Sequence, residues 1–300
     1  MKIDKKNIIQ HVIWLVKGFI MGTSDIVPGI SGGTMALILN IYEKLIYAIR
    51  GLFDKKSLWL IVKFRFKNFF SVIEYKFLLS LGTGILLAVF TLSHPISWLL
   101  QNKPTYLWAF FFGLVAASIF FLRRKITNWP LKIWVVFLFG FILAYIVAGL
   151  IPARTPATPI FFFFAGAVAI SAMILPGISG SFLLVVLGKY EQILNAVKNL
   201  DWFVLGVFIL GIIFGLVVFI RVLAWLLKNY YEITFVFLIG LMAGSLRKVW
   251  PWKIGEINVL PDKLSRDNLI IFGLMTVGFI TVLALLRWNN KQEIQKIPKI

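Results

Sequence analysis

Apolar residues run along this chain in stretches of about 20, separated by short segments in which lysine and arginine gather. A helix of that length crosses a bilayer core of roughly 30 Å. The pattern predicts spanning helices at about 77–100, 105–122, 132–151, 202–227, 231–247 and 269–287. Two further apolar stretches, about 8–49 and 160–198, are interrupted near their middles by a Pro-Gly pair. Proline lacks an N–H and glycine frees the backbone, so the first of these helices is predicted to stop near residue 25 and restart near residue 33. Each stretch then reads as a re-entrant helical hairpin, entering and leaving on one side. Arms of about 14 residues reach only the midplane at 1.5 Å per residue. Irregular backbone at that depth requires surrounding protein or a wet cavity.

The interruptions are two copies of one pattern. Pro28-Gly29-Ile30-Ser31-Gly32 recurs as Pro176-Gly177-Ile178-Ser179-Gly180, an offset of 148. The same offset pairs Gly18 with Gly166, Tyr42-Glu43 with Tyr190-Glu191, and Ala48 with Ala196. Three predicted spans lie between the hairpins, and an odd number brings the second hairpin in from the opposite face. A weaker trace agrees: Gly113-Leu114-Val115-Ala116-Ala117-Ser118 resembles Gly240-Leu241-Met242-Ala243-Gly244-Ser245. The expected fold is therefore an all-α polytopic membrane protein with an inverted-topology repeat. Residues 1–151 form one half (hairpin 8–49, a basic segment 50–76, three spans) and 152–300 the other (hairpin 160–198, three spans), in one integrated membrane domain. Inverted repeats with broken helices are the plan of secondary transporters.

Composition agrees with that class: 60% of residues are hydrophobic, mean hydropathy is +0.91, and only 14% are charged. With no cysteine, disulfides and thiolate metal sites are excluded. The N-terminal segment, basic and then apolar but interrupted by His11 and Lys17, reads as part of the mature fold. A net charge of +19 would suggest nucleic acid in a soluble chain. Here it is expected at the cytoplasmic ends of spans. With the termini cytoplasmic, the inner segments (the N-terminal end, 50–76, 123–131 with Lys132, 221–230 and the C-terminal tail) hold 20 of the 31 basic residues. The 247–268 loop runs against this, with five basic residues on the outer side. Lys56, Lys63 and Lys67 share one face of a helix over 50–76, which suits an interfacial helix on anionic lipid. His94-Pro95 suggests a kink. The Gly18-xxx-Gly22, Gly211-xxx-Gly215 and Gly240-xxx-Gly244 spacings favour close helix contact and leave a homodimer open.

The breaks carry the candidate chemistry. The helix restarting at Ser31 leaves its first N–H groups without intrahelical partners, at the positive end of its dipole. Ser31, Gly32, Gly33 and Thr34 in one copy and Ser179, Gly180 and Ser181 in the other form a candidate phosphate or carboxylate cradle. The same residues also suit helix packing and capping alone. Pro28, Gly29, Pro176 and Gly177 are the helix-breaking residues. Asp25 has no acidic counterpart, since Met173 occupies the matching position. A carboxylate at the midplane is costly and is a candidate for a coupling H+ or Na+; capping the neighbouring backbone or pairing with Lys17 are the alternatives. Lys17 either faces the anion or snorkels to the interface. Glu43 and Glu191 are further coupling candidates, against helix-end pairing with Lys44 or Lys189. Arg221 either attracts phosphate or anchors the inner surface. Arg123-Arg124-Lys125 reads as an anchor. No His-rich or paired-carboxylate cluster and no Gly-x-x-x-x-Gly-Lys-Ser/Thr run supports an enzyme or an ATPase, and no metal or other cofactor is expected.

The segment from Met21 to Thr34 and the later Ile174–Ser181 resemble the PopT-type polyprenyl-phosphate transporters, over nearly the whole chain. The resemblance implies return of undecaprenyl phosphate from the outer to the inner leaflet of a bacterial cytoplasmic membrane, for cell-wall synthesis. It implies a headgroup site at Ser31, Gly32, Gly33, Thr34, Ser179, Gly180 and Ser181. The polyprenyl phosphate lipid and the membrane are then the partners, and nucleic acid is not. The alternatives are an ion-coupled carrier of a small soluble anion and a non-transporting scaffold.

Overall fold

A computed structural model describes residues 5–27, 29–153, 155–255, 257–261 and 265–294. Pro28, one of the four expected helix breakers, lies outside the described residues. In chain order the first half holds α1 (Lys5–Asp25), α2 (Gly32–Ile38), α3 (Tyr42–Leu52), α4 (Lys55–Val62), α5 (Phe66–Val72), α6 (Tyr75–Asn102), α7 (Pro104–Leu122) and α8 (Leu131–Ala148). The second holds α9 (Pro159–Ile174), α10 (Gly180–Val186), α11 (Tyr190–Lys198), α12 (Trp202–Asn229), α13 (Tyr231–Ser245), a two-stranded hairpin of β1 (Lys253–Ile254) and β2 (Ile257–Asn258), and α14 (Arg266–Ile294). Among the described residues, five helices are long and apolar enough to cross a membrane: α6, α7 with the 3-10 turn that follows it, α8, α12 and α14. Pro95 sits inside α6 without ending it.

The sixth expected span, 231–247, is instead the 15-residue α13. At 1.5 Å per residue it is about 22 Å long, short of the bilayer core. It is apolar all round, and Phe235, Val236, Leu238, Ile239, Leu241 and Met242 are all buried. A helix enclosed by other helices need not match the lipid thickness.

The breaks fall where proline and glycine place them, and a second pair was not foreseen. α1 ends at Asp25 and α2 begins at Gly32, with Ser31 as its N-cap. Asn40 then adopts φ +54°, Ile41 N bonds Ala36 O, and α3 starts afresh. The second copy repeats this: Gly188 adopts φ +63° and Lys189 N bonds Leu184 O before α11. Asn40 and Gly188 are also 148 apart. Each expected hairpin therefore has a long first arm, of 21 and 16 residues, and a second arm split into two short helices. The two arms of about 14 residues are corrected accordingly. The basic segment 50–76 is likewise two short helices and not one, because Phe64 at φ +54° ends α4. An alanine at Gly188 would meet Ala153 O and adopt a left-handed backbone. Gly188→Ala is expected to lower the thermal midpoint in detergent by about 5 °C.

Packing repeats too. α1 runs along α6 and α9 along α12, each pair meeting through glycines: Gly18 and Gly84 in one, Gly166 and Gly211 in the other. The remaining long helices exchange partners between halves, α7 packing on α14 and α13 on α8. Gly113 of α7 lies against Met275 O of α14, and Gly240 of α13 against Phe137 O of α8. From α6 onward the matching offset is 127, since Gly84 corresponds to Gly211 and Gly113 to Gly240. The 21-residue difference from 148 is about the length of the α4–α5 segment, which has no counterpart in the second half.

Polar contacts sort the loops into two groups. Arg221 Nη2 donates to Phe53 O (2.8 Å), Tyr231 to Glu43 Oε1 (2.9 Å) and Lys125 Nζ to Asn40 Oδ1 (3.0 Å). In the other group Tyr106 meets Asp267 (3.3 Å), the Lys253 ammonium lies over the Trp108 ring (4.3 Å), and Lys189 Nζ bonds Pro156 O (2.6 Å).

Candidate functional site

The two helix breaks meet. Ser31, buried, shares its one hydroxyl proton between Leu175 O (3.0 Å) and Met173 O (3.2 Å), two of the last three carbonyls before the second Pro-Gly. Its Oγ also accepts from Gly33 N (3.1 Å), capping α2. Thr34 Oγ1 accepts from Gly177 N (3.0 Å), and Tyr42 donates to Ile174 O (3.3 Å). Gly33 is needed here for space, since a Cβ would stand 2.6 Å from Ile174 O. Gly29 and Gly177 take φ +90° and +85° to make the turns. Carbonyls freed where α9 stops are thus satisfied by Ser31, the N-cap of α2, and by Tyr42 of α3, as buried polar groups require.

A cavity of about 240 Å³ lies beside this seam, lined by Asp25 and Ser31 from the first break and Ser179, Gly180 and Ser181 from the second. Its other walls are apolar, among them Met173, Phe208 and Ile212. The two helix N-termini that reach it differ. At α2, Asp25 Oδ1 accepts from Gly32 N at 2.6 Å, so a carboxylate of the chain occupies the dipole's positive end. At α10 the equivalent residue is Met173, and Ser179 Oγ pairs with Ser181 Oγ (2.9 Å) while accepting weakly from Phe182 N (3.5 Å). Gly180 N and Ser181 N, the first two amides of α10, have no intrahelical partner by position. Of the two, the α10 end is the one whose positive dipole is not met by a carboxylate at the equivalent position.

The structure brings Asp25, Ser31, Ser179, Gly180 and Ser181 together on the cavity. Gly32, Gly33 and Thr34 lie in the seam behind it. The other proposed residues do not line the cavity. Lys17 Nζ donates to Leu39 O (2.8 Å) at the C-terminus of α2, where a cation suits the dipole. Arg221 is held at Phe53 O, and Glu43 accepts from Tyr231. Glu191 is exposed in the first turn of α11. The pairings considered for Asp25 with Lys17, Glu43 with Lys44, and Glu191 with Lys189 do not form: Lys44 meets Glu74 (3.3 Å), and Lys189 bonds Thr155 O, Pro156 O and Gln192. Leu187 O, matching Leu39 O, is taken by Thr155 Oγ1 (2.5 Å). Tyr42 and the left-handed residues 40 and 188 went unrecognised as structural parts of the site, although all three lie within the repeat at its offset.

Residues 21–266 match the model of the VCA0040-like family, described as undecaprenyl phosphate translocase-like. The chain belongs to this family. A polyprenyl-phosphate transporter of Vibrio cholerae is 42% identical over 82% of this chain and 79% of its own length. A second polyprenyl-phosphate transporter, of Staphylococcus aureus, is 31% identical over 95% of this chain and all of its own length. No solved structure matches the chain. The family match covers both breaks and every residue that lines the cavity, so the translocase-like family and the cavity between the breaks concern the same part of the molecule.

Proposed function

We propose that the protein carries a polyprenyl phosphate, undecaprenyl phosphate for its family, between the leaflets of a bacterial cytoplasmic membrane, from outer to inner. The observation that carries this reading is the cavity where two broken helices meet, polar at the breaks and apolar toward α12. A phosphate monoester bears about −1.5 to −2 charges at neutral pH. Leaving such an ion alone in hydrocarbon is prohibitive, so a translocase must shelter the head while the tail stays in lipid. The exposed Ile209, Leu210 and Phe214 of α12, next to the cavity wall at Phe208 and Ile212, suit a surface along which a tail rests.

The halves act as an inverted repeat of re-entrant elements, each with three helices, which expose the cavity to the two leaflets in turn. Support comes from the repeated breaks at 29/177 and 40/188, from the exchanged pairs α7–α14 and α8–α13, and from the two groups of loop contacts. In the same reading the termini are cytoplasmic and Asp25, at the N-terminus of α2, carries the coupling H+ or Na+.

The test follows a labelled polyprenyl phosphate between leaflets of reconstituted vesicles. Ser179→Ala removes the hydroxyl that spans Ser181 and Phe182 N, and Ser31→Ala opens the seam. Each is expected to slow translocation about tenfold, equivalent to one hydrogen bond near a charged group. Asp25→Asn keeps a cap but abolishes dependence on an imposed ion gradient. Unchanged rates in all three remove the site. Competition by inorganic phosphate equal to that by the lipid points instead to a soluble-anion carrier.

A further inference from the structure

A second cavity, of about 470 Å³, opens between the ends of α8 and α13 and the β1–β2 hairpin. Arg247, Lys248 and Lys253 line it, together with Asn258, Tyr190, Phe182 and Ser181. The cations are held in place by the chain. Arg247 donates to Tyr145 O (2.9 Å) with its guanidinium over the Tyr145 ring (4.3 Å), Lys253 Nζ bonds Lys248 O (2.7 Å), and Asn258 Nδ2 bonds Arg247 O (2.8 Å). The Lys248 ammonium lies 4.5 Å from the Phe182 ring of α10, and its stem covers Gly29 at the first Pro-Gly turn. Ser181 lines both this cavity and the one between the breaks. Ser181 thus adjoins a cluster of three cations on one side and the cavity at the start of α10 on the other.

We propose that this basic cavity is a docking site for a phosphate monoester, from which the headgroup passes over Ser181 into the cavity between the breaks. Three clustered cations on the side read as outer run against the positive-inside pattern, and a role in attracting an anion explains their place. Arginine and lysine supply the charge-assisted donors a phosphate requires. Tyr190, Phe182 and the apolar end of α8 offer a wall for the first isoprene units. The inference deepens the translocase reading and rests on it for direction, but binding at the site is measurable without transport.

The experiment titrates the full chain, in lipid nanodiscs, with a short-chain isoprenyl monophosphate and in parallel with inorganic phosphate. It uses a Met173→Asp background, in which an added carboxylate blocks the α10 end. Isoprenyl phosphate is expected to bind still, and Lys248→Gln/Lys253→Gln to weaken it about tenfold or more. The arginine double variant, Lys248→Arg/Lys253→Arg, restores most of the binding, whereas Lys228→Gln/Lys198→Gln, an equal charge change elsewhere, leaves it within roughly twofold. If the double glutamine variant does not fold, Lys253→Gln alone carries the test, with a partial loss expected. Inorganic phosphate binding as well as the lipid identifies a soluble anion as the source; binding of the isoprenyl phosphate alone identifies a lipid headgroup. Affinity unaffected by the glutamine variants, or no binding once the α10 end is blocked, overturns the proposal. Wild-type protein that binds but does not move lipid in vesicles would instead defeat the translocase reading and leave the docking site standing.

Discussion

Alanine at Gly240 or Gly113 is expected to strip the protein of most of its folded yield. At Gly240 a Cβ overlaps Phe137 O, and at Gly113 it overlaps Met275 O, both main-chain atoms of a neighbouring helix. Backbone cannot swing aside as a flexible side chain can, so α13 must move from α8, or α7 from α14. Overpacking of a core commonly costs about 1–3 kcal/mol, and prying apart two backbones belongs at or above the upper end. The effect is magnified because α13 is the enclosed helix: displacing it disturbs Leu238, Ile239, Leu241 and Met242 at once, and Gly177 rests against Leu241 O and Ser245 Oγ. Gly206→Ala and Gly82→Ala meet nothing within 4 Å and serve as controls that change only local helix propensity. Monodisperse yield by size-exclusion chromatography and the thermal midpoint measure the outcome. Gly240→Ala protein as stable as the controls would mean that these helices do not pack at the glycine contact.

The sequence made most of the helices and both Pro-Gly breaks legible because two strong signals were present: apolar runs of bilayer length and helix breakers repeated at one offset. All six expected spans are helices, with ends shifted by up to seven residues, and five of them are long and apolar enough to cross a membrane; α1 and α2 flank a gap close to that expected from Pro28 and Gly29. What escaped has physical reasons. The shortness of α13 was hidden because apolar composition does not distinguish a helix facing lipid from one facing protein. The stops at Asn40 and Gly188 were present as an αL-tolerant residue and a glycine, but each lies in a run whose hydropathy alone favours continuation. The split of 50–76 at Phe64 had even less signal, since an aromatic residue at positive φ has no local preference for it. The exchange of partners between halves is a tertiary choice that no single span encodes.

The residues that gather at the cavity were legible only in part, and their wiring was not. Ser31 and Thr34 read as donors for an anion, yet Ser31 spends its hydroxyl on Met173 O and Leu175 O, and Thr34 Oγ1 is engaged by Gly177 N. These bonds reach 142 to 144 residues along the chain, beyond any local pattern. Charge and depth in the sequence suggest an anion or an interface for Lys17 and Arg221, whereas both satisfy carbonyls, at Leu39 and Phe53. The replacement of Asp25 by Met173 is visible in the sequence and is the most informative difference between the copies.

That difference yields the last expected result: Met173→Asp should stop translocation while leaving the protein folded. The residue faces the cavity and is half exposed, so a carboxylate fits without overpacking. By analogy with Asp25, whose Oδ1 takes Gly32 N, the new carboxylate would take the amide of Gly180. Such a cap is favourable at a helix N-terminus, which predicts stability equal to or above that of the parent. Under the proposed function, the same geometry puts a fixed negative charge where the phosphate would bind. Two unit charges about 4 Å apart repel by about 4 kcal/mol at an effective dielectric of 20, which corresponds to nearly a thousandfold in affinity. Met173→Asn, able to cap without the charge, should retain much of the activity. Vesicle translocation by Met173→Asp protein at the parental rate would show that the phosphate does not use the α10 terminus. Loss in the asparagine variant as well would assign the defect to shape and leave the electrostatic argument without support. Loss confined to the aspartate variant, with an unchanged thermal midpoint, would place the moving charge at α10, which of the two helix ends at the cavity is the one without a carboxylate cap of the chain's own.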